Sequence, residues 1–200
     1  MQLISNGMSP YGRKVMIVLH ELKLSDRVTL VDAQPRERPE EVTSHNPLGK
    51  IPVLVTDDGF RIFDSPVICE FLDAEYGGNT LIPASGPKRW EVLTTVAAAD
   101  GMIDAAILAR NERLRPAEQR SESFIDWQTQ KVSRGLDAFE ERAAELAKTF
   151  DLGTIALGCA LGYVPRRLEE FEALTSWPRL AALAGELAER PSFVRTAPRI

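Results

Sequence analysis

The chain has 200 residues, with 24 Lys plus Arg against 29 Asp plus Glu, for a formal charge of −5. Hydrophobic residues make up 44% and charged residues 26%, enough apolar material to offset the chain entropy that keeps more polar sequences disordered. With 13 Gly, 13 Pro and two Cys, collagen-like and disulfide-framework classes are excluded, and the acidic balance makes nucleic acid an unexpected partner.

In chain order, residues 2–5 read as a short strand. Asn6 to Ser9 form a loop, and Pro10 opens a helix through about Leu22, with Val15, Val18, Leu19 and Leu22 on one face. Val28 to Val31 read as a second strand. Residues 35–45 are polar and charged and carry two Pro, which predicts an irregular helix or loop. Pro52 to Thr56 and Arg61 to Phe63 predict a hairpin around Asp57-Asp58-Gly59. Ser65-Pro66 then starts a helix with Val67, Ile68, Phe71 and Leu72 at helical spacing. The order is β-α-β-α-β-β-α, the first two strands parallel and the last two antiparallel. Residues 77–87 are rich in Gly and Pro and read as a linker. Helices are expected over about 88–112, 117–147, 152–164 and 176–189, with a tail after Pro191. Asp151 is placed as an N-cap with Thr154 at N3, and Phe150 and Ile155 have hydrophobic-staple spacing.

Composition divides the chain at the same place. Residues 1–90 contain three Ala and residues 91–200 contain nineteen, whereas Val plus Ile number fourteen and ten. β-Branched residues favour strands and Ala favours helices. The expected domains are therefore a mixed α/β domain over 1–76, a linker over 77–87 and an all-helical domain over 88–200. Met1-Gln2-Leu3-Ile4-Ser5 shows no signal-peptide pattern. No uninterrupted apolar run reaches the roughly 18 residues of a membrane span, so no membrane association is expected. Cys69 and Cys159 read as packing residues in a reducing cytoplasm.

Three segments of the first domain carry chemistry. In Ser9-Pro10-Tyr11-Gly12-Arg13-Lys14-Val15, Ser9 is placed as N-cap with Pro10 at N1. Its hydroxyl then sits beside free N–H groups and the positive end of the helix dipole, a setting that stabilises an anion such as a thiolate. In Asn46-Pro47-Leu48-Gly49-Lys50-Ile51-Pro52-Val53-Leu54, Pro52 is a candidate cis residue. A cis bond there would turn the Ile51 backbone outward to pair with an extended peptide ligand. In Phe63-Asp64-Ser65-Pro66, Ser65 is a second expected N-cap, and its hydroxyl with the adjoining N–H groups would form a carboxylate site. With only His20 and His45, and no Cys pair at ligand spacing, no metal site is expected. His20 reads as a packing or capping residue. There is no GxGxxG or Walker A pattern.

The order and spacing of these segments resemble the thioredoxin-like domain of glutathione transferases, and the helical second part resembles that family's C-terminal domain. The likeness covers essentially the whole chain and is nearest to small bacterial serine-type members. It implies that Ser9 donates to the glutathione sulfur, that Ile51 before cis Pro52 pairs with the cysteinyl part, and that Ser65 holds the γ-glutamyl carboxylate and Asp64 its ammonium. It places Lys50 beside a glutathione carboxylate. It also matches Asp100 to an acidic residue that reaches the ammonium within the subunit or across a dimer, although Asp100 and Asp104 at i, i+4 also suit a local pair. Ser9 and Gly12 stand where a Cys-Pro-Tyr-Cys redox motif has its cysteines, so two-cysteine glutaredoxin chemistry and a mixed disulfide with the enzyme have no residues to run on. The Ser-rich, Cys-containing loop of the maleylacetoacetate isomerase branch is absent. Tyr11 is the other hydroxyl near the sulfur, its side chain expected to face the domain core.

The expected reaction is conjugation of the glutathione thiolate to a small electrophile, in a detoxification role and as a homodimer. Glutathione serves as co-substrate, without metal. An electrophile pocket between the domains is expected to be lined by Met8, Met102, Ile103 and Ile107. Two alternatives stand beside this. One is a non-catalytic protein-interaction scaffold of the transcription-associated type. The other is glutathione-dependent peroxidase or reductase chemistry on the same site.

Overall fold

The computed structural model describes residues 1–198, except for the side chain of Ala173. The chain forms two compact units: Met1–Arg89 together with the segment from Arg190 onward, and Trp90–Glu189.

The first unit contains β1 (Gln2–Ser5), α1 (Pro10–Glu21), β2 (Thr29–Asp32), α2 (Glu40–Thr43), β3 (Val53–Val55), β4 (Arg61–Ile62) and α3 (Ser65–Leu72). The sheet order is β2-β1-β3-β4, with β1 parallel to β2 and antiparallel to β3, and β3 antiparallel to β4. This is the expected β-α-β-α-β-β-α arrangement. The charged stretch before the second loop condenses into the single turn of α2, whose Val42 is buried with Ile4, Ala33 and Val53. Ile51, Val55 and Phe63 pack against that cluster. Leu3 and Leu54, which alternate with Ile4 and Val53, are also buried, so the middle strands are covered on both faces.

The register fixes where the loops emerge. Ile4 pairs with Val53 and Leu54 pairs with Ile62. The end of β1, the start of β3 and the end of β4 therefore lie at one end of the sheet. The loops reaching Ser9, Pro52 and Ser65 all leave from that end.

The second unit contains α4, which spans Pro87–Arg113 and begins in the first unit, then α5 (Glu122–Leu146), α6 (Leu152–Tyr163) and α7 (Pro178–Ala188). α6 is buried along nearly its whole length. Its start is the expected one: Asp151 Oδ1 accepts from the Thr154 N–H at 3.1 Å, and Thr154 Oγ1 accepts from the Asp151 N–H at 2.9 Å. Thr154 is fully buried. Asp151→Ala is expected to cost about 1–2 kcal/mol, read as a lower denaturation midpoint with an unchanged slope.

Several expectations are corrected. The helix expected over 117–147 begins only at Glu122. Pro116 holds extended backbone, and Ser121 supplies a new cap by accepting from the Phe124 N–H at 3.3 Å. Length and composition make α4 capable of crossing a membrane, with an 18-residue window of mean hydropathy 1.6. Short polar interruptions hide this from a search for unbroken runs. Half of that window is buried inside the fold, as in the core helix of a globular unit. The tail after Pro191 forms a further helix, α8 (Pro191–Arg195), and groups with the first unit rather than the second. The reason is packing on α1, where Phe193 is 2% exposed.

The linker segment is anchored at its start. Asp73, directly after α3 and 1% exposed, accepts from the N–H groups of Thr80, Leu81 and Ile82 and from the Thr80 hydroxyl. Further along, Arg89 donates to the Pro83 carbonyl and pairs with Glu70 on α3.

Candidate glutathione site

Ser9 is the N-cap of α1, with extended backbone at φ −74° and ψ 119° and Pro10 as the first helical residue. Its Oγ accepts from the Gly12 N–H at 3.1 Å. That bond uses an oxygen lone pair and leaves the hydroxyl proton to be donated outward. The loop before it is braced by Asn6, whose Nδ2 donates to the Ala33 carbonyl at 3.0 Å while its Oδ1 accepts from the Met8 N–H at 3.1 Å. The Asn6 carbonyl also receives the Ser9 N–H, at 3.3 Å. From inside, the first turn of α1 rests on β1. A methyl group built on Gly12 would collide with the Ser5 hydroxyl, which is itself buried. Any side chain at position 12 would require the Ser5 hydroxyl to move.

The Ile51–Pro52 bond is cis, as expected. Pro52 is buried and Ile51 half-buried, and Ile51 lies just beyond the β1–β3 ladder, which ends at Val53. The loop is organised by Asn46, 2% exposed. Its Nδ2 donates to the Lys50 carbonyl at 2.9 Å, and its Oδ1 accepts from the Leu48 N–H at 3.0 Å. Gly49 takes a left-handed φ of +61° within this turn, which glycine tolerates without cost. Lys50 is exposed.

At α3 the cap shifts by one residue from the expected position. Asp64 is the N-cap, extended at φ −92° and ψ −161°, and Ser65 is the first helical residue. Pro66 then stands in the first turn, where its missing N–H would have had no helical partner. The Asp64 carboxylate makes no capping bond and stands exposed, while Ser65 is 2% exposed. The Phe63–Asp64 bond is also cis.

The sheet register thus gathers Ser9, Ile51, Pro52, Asp64 and Ser65 at one end of the first unit, with Lys50 on the adjoining loop. Asn6 and Asn46, which brace two of the loops, were missed by the sequence reading. Their signal is an Asn two or three residues ahead of a turn, where its side chain can satisfy backbone N–H groups. Of the residues expected to line an electrophile pocket, Met8 is exposed beside Ser9 and Ile107 is half-buried on α4. Met102 and Ile103 are core residues at 3% and 1% exposure. Met102 fills the space beside Gly135, where a methyl group would collide with its sulfur. Asp100 and Asp104 are carried on α4 in the second unit. Tyr11 lies in the first turn of α1, half-buried. His20, near the end of α1, is 2.9 Å from the Ser25 hydroxyl, and burial together with Arg195 holds its imidazole below the ordinary histidine range.

The fold is a thioredoxin-like domain followed in the chain by a helical unit. Residues 8–75 match the family model for the glutathione S-transferase N-terminal domain. An Escherichia coli K12 protein described as uncharacterized GST-like protein YibF is 34% identical over 201 residues, spanning 99% of this chain and 98% of its own. A glutathione transferase family member from Pseudomonas fluorescens Pf-5, solved with bound glutathione, is 43% identical with a TM-score of 0.94, over 100% of this chain and 99% of that one. A glutathione S-transferase from Methylobacillus flagellatus KT, solved with glutathione bound, is 37% identical with a TM-score of 0.91, over 99% of each chain. The chain belongs to the glutathione transferase family.

Proposed function

We propose that this protein binds glutathione at the sheet end of the first unit and transfers its thiolate to small electrophiles. The observation that carries the reading is the Ser9 cap. The hydroxyl is held by the Gly12 N–H and keeps its proton for the sulfur, at the positive end of α1. Lowering the pKa of a thiol that ordinarily titrates near 8.5 makes the nucleophile abundant at neutral pH.

The remaining residues give the tripeptide its places. Ser65 and the first-turn N–H groups of α3 take the γ-glutamyl carboxylate, and the exposed Asp64 carboxylate takes the ammonium. Ile51 pairs through its backbone with the cysteinyl unit, on a path set by cis Pro52. Lys50 faces the remaining carboxylate, and Met8 offers apolar surface beside the sulfur. The protein acts by positioning and electrostatic stabilisation, without a covalent enzyme intermediate. We place it in the cytoplasm as a homodimer with a detoxifying role; Cys69 and Cys159, both buried and in no disulfide, suit a reducing compartment.

Calorimetric titration tests the reading. Glutathione is expected to bind at millimolar concentration or tighter, and Ser65→Ala to weaken it about tenfold, the loss of one charge-assisted bond. Absence of binding by the unsubstituted protein refutes it. Turnover of an aryl halide, with little turnover of an organic hydroperoxide, distinguishes transfer from peroxidase chemistry.

A further inference from the structure

The chain returns to α1 after the second unit is complete, and it meets that helix at both ends. Glu21, the last residue of α1, accepts from the Ser192 hydroxyl at 2.5 Å and from Arg190 Nη2 at 3.4 Å. In the first turns, Arg13 donates through Nη2 to the Phe193 carbonyl at 3.3 Å, and its guanidinium lies 5.3 Å from the centroid of the Phe193 ring. Phe193 is 2% exposed. The segment is tied internally by Thr196, whose hydroxyl donates to the Ser192 carbonyl at 2.8 Å.

Arg13 is also the first residue bonded to the cap. Its N–H donates to the Ser9 carbonyl at 2.9 Å, so its backbone belongs to the turn that Ser9 caps. A cation borne on this turn, partly shielded from water by an aromatic ring, adds to the positive field at the helix N-terminus. A long arginine side chain left in solvent would sample many rotamers and contribute little of this. The ring and the carbonyl of Phe193 select one orientation. Catalytic groups hold their geometry only when the groups behind them are themselves fixed.

We propose that Phe193 is a positioning residue for the thiolate site: the C-terminal segment seats Arg13 on its ring and so fixes the first turn of α1 and the positive field that the glutathione sulfur meets beside Ser9. This rests on the glutathione-thiolate function proposed above.

The test follows thiolate absorbance of bound glutathione against pH in the full-length protein. Phe193→Ala is expected to raise the pKa of the bound thiol by roughly one unit, while glutathione affinity changes by less than about threefold. Phe193→Leu restores apolar volume without a ring, so it should recover thermal stability but not the thiol pKa. Arg13→Met removes the cation and keeps an apolar stem. It should reproduce the shift even if Phe193→Ala fails to fold, and Arg13→Met combined with Phe193→Leu should shift the pKa no further than either alone. An unchanged bound-thiol pKa in Phe193→Leu and Arg13→Met, with glutathione bound, overturns the proposal and leaves the transferase reading standing. Failure of the unsubstituted protein to bind glutathione overturns both.

Discussion

Ser9→Ala is expected to lower the conjugation rate at neutral pH about tenfold, the thiolate fraction left by a thiol titrating near 8, while leaving glutathione affinity within about threefold. In the proposed function the removed hydroxyl would donate one charge-assisted hydrogen bond to the thiolate, worth about 1.5–3 kcal/mol, and at about 1.4 kcal/mol per pKa unit this is one to two units of thiol acidity. The helix dipole and first-turn N–H groups remain and contribute about 0.3–1 kcal/mol, so the thiol stays somewhat more acidic than in water. On the proposed reading affinity changes little, because Ser65, Asp64 and Ile51, rather than Ser9, would hold the tripeptide through its carboxylate, ammonium and backbone.

The substitution also removes a helix cap, since Ser9 Oγ accepts from the Gly12 N–H at 3.1 Å, and this costs about 1 kcal/mol of stability. The pH profile separates the two effects. A loss of thiolate recovers as the pH approaches the free thiol pKa near 8.5, so the variant should converge on the unsubstituted rate toward alkaline pH. A loss caused by a distorted fold would persist at every pH. An unshifted profile would sink the assignment of Ser9.

The parts of the site that are legible in sequence are those made by local chemistry. Ser-Pro at a helix start, a proline opening an apolar strand and an Asp-Gly hairpin turn each act within a few residues, and their consequences follow from backbone geometry. Contacts that depend on which elements meet were not legible. The need for Gly12 arises from Ser5 on the neighbouring strand, and the placement of Arg13 arises from Phe193 at the far end of the chain. The α3 cap moved by one residue because Asp and Ser are both good caps, and their order before a proline does not choose between them. The helix break before Glu122 had its signal in Pro116, but Ser121, rather than the proline, sets where the helix resumes.

Asp73 is the clearest case of a residue whose weight is invisible in sequence, and replacing it is expected to produce the largest stability loss in the first unit. In the fold it is 1% exposed, and its two oxygens accept from three successive backbone N–H groups, those of Thr80, Leu81 and Ile82, at 2.7–3.1 Å. Its own carbonyl takes a fourth, from Asn79, at 3.1 Å. The chain reverses into these bonds through left-handed residues at Gly78 and Asn79. A methyl group on Gly77 would collide with the same carboxylate and with Leu22. Asp73→Ala strands the N–H groups of Leu81 and Ile82, both residues being buried, and each stranded donor costs about 1–3 kcal/mol. For the two stranded donors the expected total is about 2–6 kcal/mol. Asp73→Asn should recover only part of it, because its amide offers one acceptor oxygen where the carboxylate offers two, and its N–H₂ group confronts other donors. Urea denaturation followed by tryptophan-independent probes of the first unit, such as hydrogen exchange at Leu81 and Ile82, would show the loss. A change below about 1 kcal/mol in Asp73→Ala would mean that water satisfies these donors as well as the carboxylate does.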